Sequence, residues 1–198
     1  MICRHMRSYS KKRERKQSFG TGAAGLSRLV VRPRPGVPTQ GLLQAGQNVF
    51  PCALGRGGIS ANKREGDGAT PLSRMRLLGG YFRNDHIRIG GTRLVMEAIS
   101  ADLGWCEVPD DRNYNRPVKM PYAASHETMR RADPLYDYCI VLDWNIVPRR
   151  RGRGSAIFFH LARPDFSPTQ GCVAVTARVM ARLLPHLSRG TVLEVRRT

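Results

Sequence analysis

Short β-prone segments that end at glycine or proline recur along most of this chain. Glycine favours turns and proline lacks a backbone N–H, so 20 glycines and 13 prolines among 198 residues leave little room for long helices. Between them lie runs of β-branched, leucine and aromatic residues with the length of strands. The sequence predicts strands in "RLVVRPR", "NVFPCALG", "RMRLLGGYFR" (ending near Gly79), "IGGTRLVMEAI", "YDYCIVLDWN", "GSAIFFHLA" and "GTVLEV". We therefore expect a mainly β fold with a few short helices.

Two of these segments, residues 136–145 and 154–162, have the strongest strand pattern. The linking stretch "IVPRRRGRG" predicts that they form a hairpin with an arginine-rich tip. By contrast, "WCEVPDDRNYNRPVKMPY" holds so many Asp, Asn and Pro residues that no regular element is predicted there. One helix is predicted after Thr176, a suitable N-cap, and Pro185 should kink or end it.

The charge of the chain is strongly positive and uneven. Its 33 Lys and Arg against 15 Asp and Glu give +18, which favours polyanionic partners without choosing among them. Residues 1–25 are basic, rich in Gly and Ser, and without apolar periodicity, so we expect a disordered extension there. The N-terminal stretch makes a poor signal peptide, because "FGTGAAGLSRLVV", which should be its apolar region, is too rich in glycine and carries Arg28. No run of 18 apolar residues predicts a membrane span.

The five cysteines do not form a metal or redox motif. None belongs to a C-x-x-C pair, and an odd number cannot make a complete disulfide framework. Cys139 lies within a predicted strand and is expected to be buried. The segment "DDRNYN" (Asp110, Asp111, Asn113, Asn115) suggests a calcium loop but lacks the Gly and the final Glu of an EF-hand. Turn formation is the better interpretation, and no metal site is predicted.

Two residues near the C-terminal end could act together in catalysis. His160 ends a predicted strand, and Cys172 follows 12 residues later, after a loop that Pro164 and Pro168 force to turn. Gly171 would let the backbone beside the thiol approach a substrate closely, and amide N–H groups there could face an oxyanion. A nucleophile with its base is one interpretation, and a core cysteine that happens to follow a histidine is the other.

At these residues the chain resembles the L,D-transpeptidases with a YkuD-type catalytic domain, and in particular their short bacterial members. Their motif is a histidine on a strand, a loop, and Ser/Thr-x-Gly-Cys, which reads here as "IFFH", "LARPDFSP" and "TQGCVAV". "KREGDGATPLSRMRL" resembles the family's upstream Thr-Pro turn, and "GTVLEV" its closing strand. The resemblance covers about residues 26–197. It implies a β-sandwich or barrel with the catalytic cysteine on a loop before the C-terminal helix.

The resemblance also implies an activity. Cys172 would be the nucleophile and His160 the general base and acid, either taking the thiol proton or holding a thiolate–imidazolium ion pair. The substrate would be a peptidoglycan stem tetrapeptide that loses D-alanine and is joined to an amine in a 3→3 cross-link. No metal, cofactor or obligate protein partner is implied. The periplasm or cell envelope is the implied location, although the lack of a clear signal peptide leaves the cytoplasm open.

Four further residues follow from the same motif as oxyanion or substrate-binding candidates: Gly171, Gln170, Thr169 and Arg163. The chain departs from the family where Gln170 replaces a histidine, Ala174 replaces an arginine and Leu161 replaces a glycine, so Gln170 and Arg163 are predicted substitutes.

Alternative functions stay open at this point. With water as the acceptor, the same residues would make an L,D-carboxypeptidase or another cysteine peptidase. The charge fits a basic nucleic-acid-binding protein, but no aromatic–basic alternation supports a nucleic-acid partner. Arg149, Arg150, Arg151 and Arg153 could bind stem-peptide carboxylates, and a solvated hairpin tip is the simpler interpretation.

Overall fold

The computed structural model describes residues 25–197. All but the last residue of the predicted extension, 1–25, lies outside the described residues. Among the described residues there are fourteen strands and one α-helix. The strands are β1 (Arg28–Arg34), β2 (Val37–Ala45), β3 (Asn48–Ala53), β4 (Ile59–Ser60), β5 (Thr70–Pro71), β6 (Arg74–Phe82), β7 (Met96–Ala98), β8 (Leu103–Cys106), β9 (Pro117–Lys119), β10 (His126–Thr128), β11 (Tyr138–Leu142), β12 (Phe158–Leu161), β13 (Val173–Val175) and β14 (Val192–Val195). The helix α1 is Ala177–Leu183, and single 3₁₀ turns lie at Pro134–Tyr136 and Leu184–His186.

Eight of the strands close into a barrel. Their order is β11-β12-β13-β3-β2-β1-β14-β6, and β6 also pairs with β11, which joins the two ends of the sheet. Closure leaves these strands without an unpaired edge inside the ring. The predicted mainly β fold of sandwich or barrel type is therefore confirmed, and the closed form is the one observed.

The barrel interior is the main hydrophobic core. Alternate residues of the strands point inward, such as Leu29 and Val31 on β1 and Leu193 and Val195 on β14, all at most 3% exposed. The helix α1 adds Val179, Met180 and Leu183 to the same cluster. Thr176 caps it as predicted, since its side chain accepts the Val179 N–H, and the 3₁₀ turn that holds Pro185 ends it.

A three-stranded sheet, β10-β8-β9, packs on the outside of the barrel. Trp105 of β8 contacts Phe158 of β12 edge to face, with ring centroids 5.1 Å apart. This contact belongs to a second, smaller core that also contains Cys139, Tyr136 and Cys172. The candidate pair of His160 and Cys172 therefore lies where the small sheet meets the barrel.

The structure corrects several strand predictions. The segment predicted to be irregular contains the second half of β8 and all of β9, and the proline that opens β9 is tolerated because β9 is an edge strand. No strand was predicted for residues 37–45. Gly41 obscured β2, yet a Cβ there would lie 2.8 Å from the Arg32 carbonyl oxygen, so close strand packing requires glycine. The strand predicted to end near Gly79 continues through it to Phe82.

The predicted pairing of the two strongest strands is observed. β11 and β12 are antiparallel, with Cys139 opposite His160. Both strands are shorter than predicted, because turns occupy most of residues 143–157 between them.

Two neighbouring leucines on β2 test which side of the barrel wall carries the stability. Leu43 is fully buried, whereas Leu42 is 41% exposed. Leu43→Ala should lower the free energy of unfolding by about 2–5 kcal/mol, because it leaves a cavity in the interior. Leu42→Ala, the matched control, should change it by less than about 1 kcal/mol. Urea denaturation of the two variants measures this, and equal losses would contradict the barrel orientation of β2.

Candidate active site

Strand pairing brings His160 and Cys172 to the same face of the barrel wall. β12 and β13 run parallel, and His160 pairs with Ala174. Cys172 lies two residues before Ala174, so its side chain points to the same face as that of Ala174 and therefore of His160. Parallel pairing thus places the imidazole and the thiol on the same face of the barrel wall.

A pocket of about 510 Å³ opens over these two residues. Five of the six residues predicted from the motif line it: Arg163, Thr169, Gln170, Cys172 and His160. The sixth, Gly171, is not among the lining residues. The loop between β12 and β13 supplies Arg163, Thr169 and Gln170, so it forms one wall of the pocket.

The Cys172 thiol is buried and held by backbone groups. Its Sγ donates to the Ala156 carbonyl oxygen at 3.2 Å and accepts the Phe158 N–H at 3.3 Å. Burial raises the pKa of the Cys172 thiol to about 12, and the Phe158 N–H opposes the rise. The resting side chain is therefore a neutral thiol.

The His160 imidazole is equally enclosed. Its Nδ1 lies 2.8 Å from the Leu161 carbonyl oxygen, which can only accept, so Nδ1 carries the proton and Nε2 is left as the acceptor. The Tyr136 ring meets the imidazole edge to face at 5.3 Å between centroids. Burial lowers the pKa of His160 to about 4, against the opposing effect of the Leu161 carbonyl. The imidazole is thus neutral over the physiological range.

These two environments decide between the protonation states expected from the sequence. A thiolate–imidazolium pair would need a lowered thiol pKa and a raised imidazole pKa, and the structure shifts both the other way. The expected resting ion pair is therefore wrong for this arrangement. The other expectation stands: a neutral imidazole can take the thiol proton as a bond to sulfur forms.

The turn before Cys172 is built by Thr169 and Gly171. Thr169 Oγ1 accepts the Gly171 N–H at 3.2 Å and donates to the Cys172 carbonyl oxygen at 2.7 Å. Gly171 has φ +133°, and a Cβ there would lie 2.9 Å from the Ala69 carbonyl oxygen. The Thr169 side chain therefore shapes the turn. The Gly171 N–H, an expected oxyanion donor, already has an acceptor.

The hydrogen bonds that hold the backbone next to the Cys172 thiol were not predicted from the sequence. Ala156, whose carbonyl accepts from Cys172, has φ +50°, an uncommon conformation for a residue with a Cβ. Asn115, only 2% exposed, holds it there, since its Oδ1 accepts both the Ala156 N–H and the Trp105 indole N–H at 3.0 Å. The sequence indicated a turn at Asn115 but gave no sign of its contact with Ala156, 41 residues away.

The pocket also holds charged side chains that the motif did not single out. Arg131 bonds the Glu127 carboxylate at 2.8 Å and makes a two-pronged contact with Asp133 at 2.7 and 2.9 Å. Burial raises the pKa of Glu127, and Arg131 counteracts this. Arg163, 51% exposed, reaches Asp133 at 3.7 Å. Glu65 and Glu107 line the pocket too, so its wall presents both signs of charge.

An ion pair between a buried lysine and a partly exposed aspartate supports the other side of the turn. Lys63, only 2% exposed, lies 2.5 Å from Asp67. Asp67 in turn accepts the backbone N–H groups of Arg64 and Ala69. Because Ala69 packs against Gly171, this ion pair fixes the surface on which the turn before Cys172 rests.

The arginine-rich segment lies apart from the pocket. Arg149 donates to the Tyr114 and Arg112 carbonyls, Arg151 pairs with exposed Asp110, and Arg153 contacts Asn62. None of these three residues, nor Arg150, lines the pocket. Among residues 25–197, no cluster of His, Cys, Asp or Glu could hold a metal ion, and no helix is long and apolar enough to cross a membrane.

A family model matches most of the chain. The model describes the L,D-transpeptidase catalytic domain, YkuD, and the match covers residues 37–195. It includes the barrel strands from β2 onward and the whole pocket. No curated protein and no solved structure matches the chain significantly.

The turn before Cys172 should depend on its glycine. Gly171→Ala adds a Cβ at a positive φ and against the Ala69 carbonyl, so the free energy of unfolding should fall by about 1–3 kcal/mol. Gly90→Ala is the control, because its Cβ would meet nothing within 4 Å. Urea denaturation compares the two, and a similar small effect for both would show that the turn tolerates a side chain.

The neutral thiol can be tested by labelling Cys172 with iodoacetamide across pH. A pKa near 12 predicts a rate that keeps rising from about pH 6 to about pH 9, without the neutral plateau of an ion pair. At neutral pH the folded protein should label on the order of 1,000-fold more slowly than the same cysteine in denaturant. Peptide mass spectrometry isolates Cys172 from the other cysteines. A rate independent of pH in this range would restore the ion pair.

Proposed function

The chain belongs to the YkuD family of L,D-transpeptidase catalytic domains, and from that membership we propose that it is a peptidoglycan L,D-transpeptidase with Cys172 as nucleophile and His160 as base. The observation that carries this assignment is the pair itself. A thiol and an imidazole share one face of the barrel wall and line one pocket.

Acylation is the first step. As the Cys172 Sγ attacks the carbonyl of the third stem residue, His160 Nε2 takes the thiol proton, so a sulfur–carbon bond and an imidazolium form together. The C–N bond to the terminal D-alanine then breaks, and the imidazolium gives its proton to the leaving amine. A thioester remains on Cys172. Because burial opposes charge on both side chains, proton transfer belongs to the reaction and not to the resting enzyme.

Deacylation reverses the roles. An amine from a neighbouring stem attacks the thioester, His160 takes a proton from that amine, and the Cys172 thiol is restored as the leaving group. The product is a 3→3 cross-link. The pocket residue Tyr136 packs against the imidazole, and we propose an amine as the acceptor in place of water.

The remaining pocket residues suit a substrate with both signs of charge. Gln170 and Arg163 lie on the loop wall, and we assign them to substrate binding in place of the motif residues that the chain lacks. The backbone N–H of Cys172 is the donor we assign to the oxyanion, since that of Gly171 is bonded to Thr169. Glu127 and Arg131 offer partners to the amino and carboxylate groups of a stem peptide. Such a substrate places the enzyme in the cell envelope.

A carbapenem and a stem peptide together test the assignment. Mass spectrometry should show one carbapenem adduct on Cys172 in the wild type and none in Cys172→Ala. Cys172→Ser should fold normally yet lose transfer, because a hydroxyl is a far weaker nucleophile than a thiol whose proton is taken by the same base. His160→Ala should lose turnover by roughly 100-fold or more, the usual contribution of a general base.

The products separate transfer from hydrolysis. Incubation with stem tetrapeptides should give cross-linked product, measured by chromatography and mass spectrometry, and tripeptide alone would identify a carboxypeptidase. The acid limb of the rate profile should lie near pH 4, where His160 becomes protonated and can no longer accept. Wild-type turnover in Cys172→Ala would remove the thiol from the mechanism altogether.

A further inference from the structure

The barrel wall opposite the pocket carries an outward-facing set of arginines. β1 lies four strands from β12 in either direction around the ring, so the two strands face opposite ways. Around β1 many of the outward side chains are arginines. We call this set the arginine face, defined by Arg28, Arg32, Arg74, Arg76 and Arg196.

Strand register shows that these side chains share one face. Arg28 pairs with Val192 on β14, which pairs with Arg76 on β6, and this row crosses three strands. In the next row, Val30 pairs with Glu194, which pairs with Arg74.

The alternate residues of the same strands point into the barrel. They are Leu29, Val31, Leu193, Met75 and Leu77, all at most 1% exposed. The arginines therefore point outward.

Few carboxylates offset these arginines, although Asp143, just after β11, accepts the Arg76 backbone N–H at 2.8 Å. Glu194 is the one carboxylate among the outward residues of β1, β14 and the paired part of β6, all of which are described. It is 12% exposed, and its pKa is held below the usual range first by the hydrogen bond with Arg196 at 2.9 Å and then by the charges of Arg74 and of Arg28, 3.5 Å away. Arg28 and Arg196 remain 52% and 38% exposed, so they can still bind an anion from solution.

The arginines surround a groove and border an aliphatic rim. The groove has a volume of about 480 Å³ and is lined by Arg28, Arg32 and Arg196, with Val30 and Gln44 between them. On the adjacent strands β2 and β3, Leu42 and Val49 point outward and are 41% and 56% exposed. The surface thus combines guanidinium groups with exposed aliphatic side chains.

We propose that the arginine face docks the protein onto an anionic phospholipid membrane. Guanidinium groups pair with phosphate oxygens, and the groove accepts a headgroup between three of them. Leu42 and Val49 add apolar contact at the interface, as basic surface-binding elements do. Docking in this orientation turns the pocket away from the lipid.

Two other occupants fit less well. A protein surface that binds nucleic acid usually offers aromatic side chains for base stacking or an element that fits a groove of the duplex. The residues named on this face include no aromatic ring. Residues 1–24 of the chain carry seven Lys and Arg against one Glu, so they share the sign of this face and do not complement it.

Vesicle binding tests the proposal with the full-length chain. The wild type should co-sediment with vesicles of equal parts phosphatidylglycerol and phosphatidylcholine, and not with phosphatidylcholine alone. Arg28→Gln, Arg32→Gln and Arg76→Gln combined should weaken binding roughly 100-fold, since each basic group near an anionic surface contributes about fivefold. Glu194→Gln should strengthen it by about fivefold for the same reason.

The control removes equal charge elsewhere. Arg88→Gln, Arg112→Gln and Arg116→Gln combined are exposed changes outside the barrel strands, and they should weaken binding by no more than about threefold. Carbapenem acylation of Cys172 should be unchanged in both triple variants, which shows that they fold.

Three results would overturn the proposal. The first is an equal loss of vesicle binding in both triple variants, and the second is no preference for the anionic vesicles. The third is that the wild type binds duplex DNA and not vesicles, and that the first triple variant abolishes this DNA binding.

Discussion

The parallel hydrogen bonding of β12 with β13 is the constraint on which the site depends. Two adjacent parallel strands cannot be joined by a tight turn, because the chain must return along the length of the first strand before the second can begin. Here residues 162–172 make that return without a helix. The returning loop lies across the outer face and becomes a wall of the pocket, and it delivers Cys172 to a position diagonal to His160. An antiparallel hairpin at this point would neither form this wall of the pocket nor bring the Cys172 thiol to the face of His160.

Burial then sets the chemistry of the pair. Trp105, Tyr136 and Phe158 form the small core between the barrel and the outer sheet, and this core encloses both reactive side chains. In a dry environment an uncharged pair is the stable state, so the fold keeps the thiol protonated until a substrate occupies the pocket. Backbone groups supply the contacts that orient it. Ala156 and Phe158 hold the sulfur, and Leu161 fixes the imidazole tautomer.

Local sequence patterns predicted the parts of the fold that local interactions determine. The strands at residues 28–34 and 192–195 and the Thr176 cap follow from alternation, length and capping chemistry within a few residues. The strand β9 was missed because a proline opens it, and an edge position tolerates that proline only once the sheet order is known. Barrel closure by β6 and β11 joins segments about 60 residues apart, which no local pattern reveals.

The candidate site shows the same division. A motif was enough to name His160 and Cys172, and the structure brings them together in one pocket. The protonation state was wrong because it depends on distant residues that cover the pair, among them Tyr136 and Trp105. Asn115 escaped notice for the same reason, since its contact with Ala156 forms only after folding. The barrel assigns different roles to its parts. Its interior supplies stability, one outer wall is enclosed and carries the reactive pair, and the opposite wall is open to solvent and basic. Because closure fixes β1 and β12 on opposite sides, whatever binds one wall sets the direction in which the other faces.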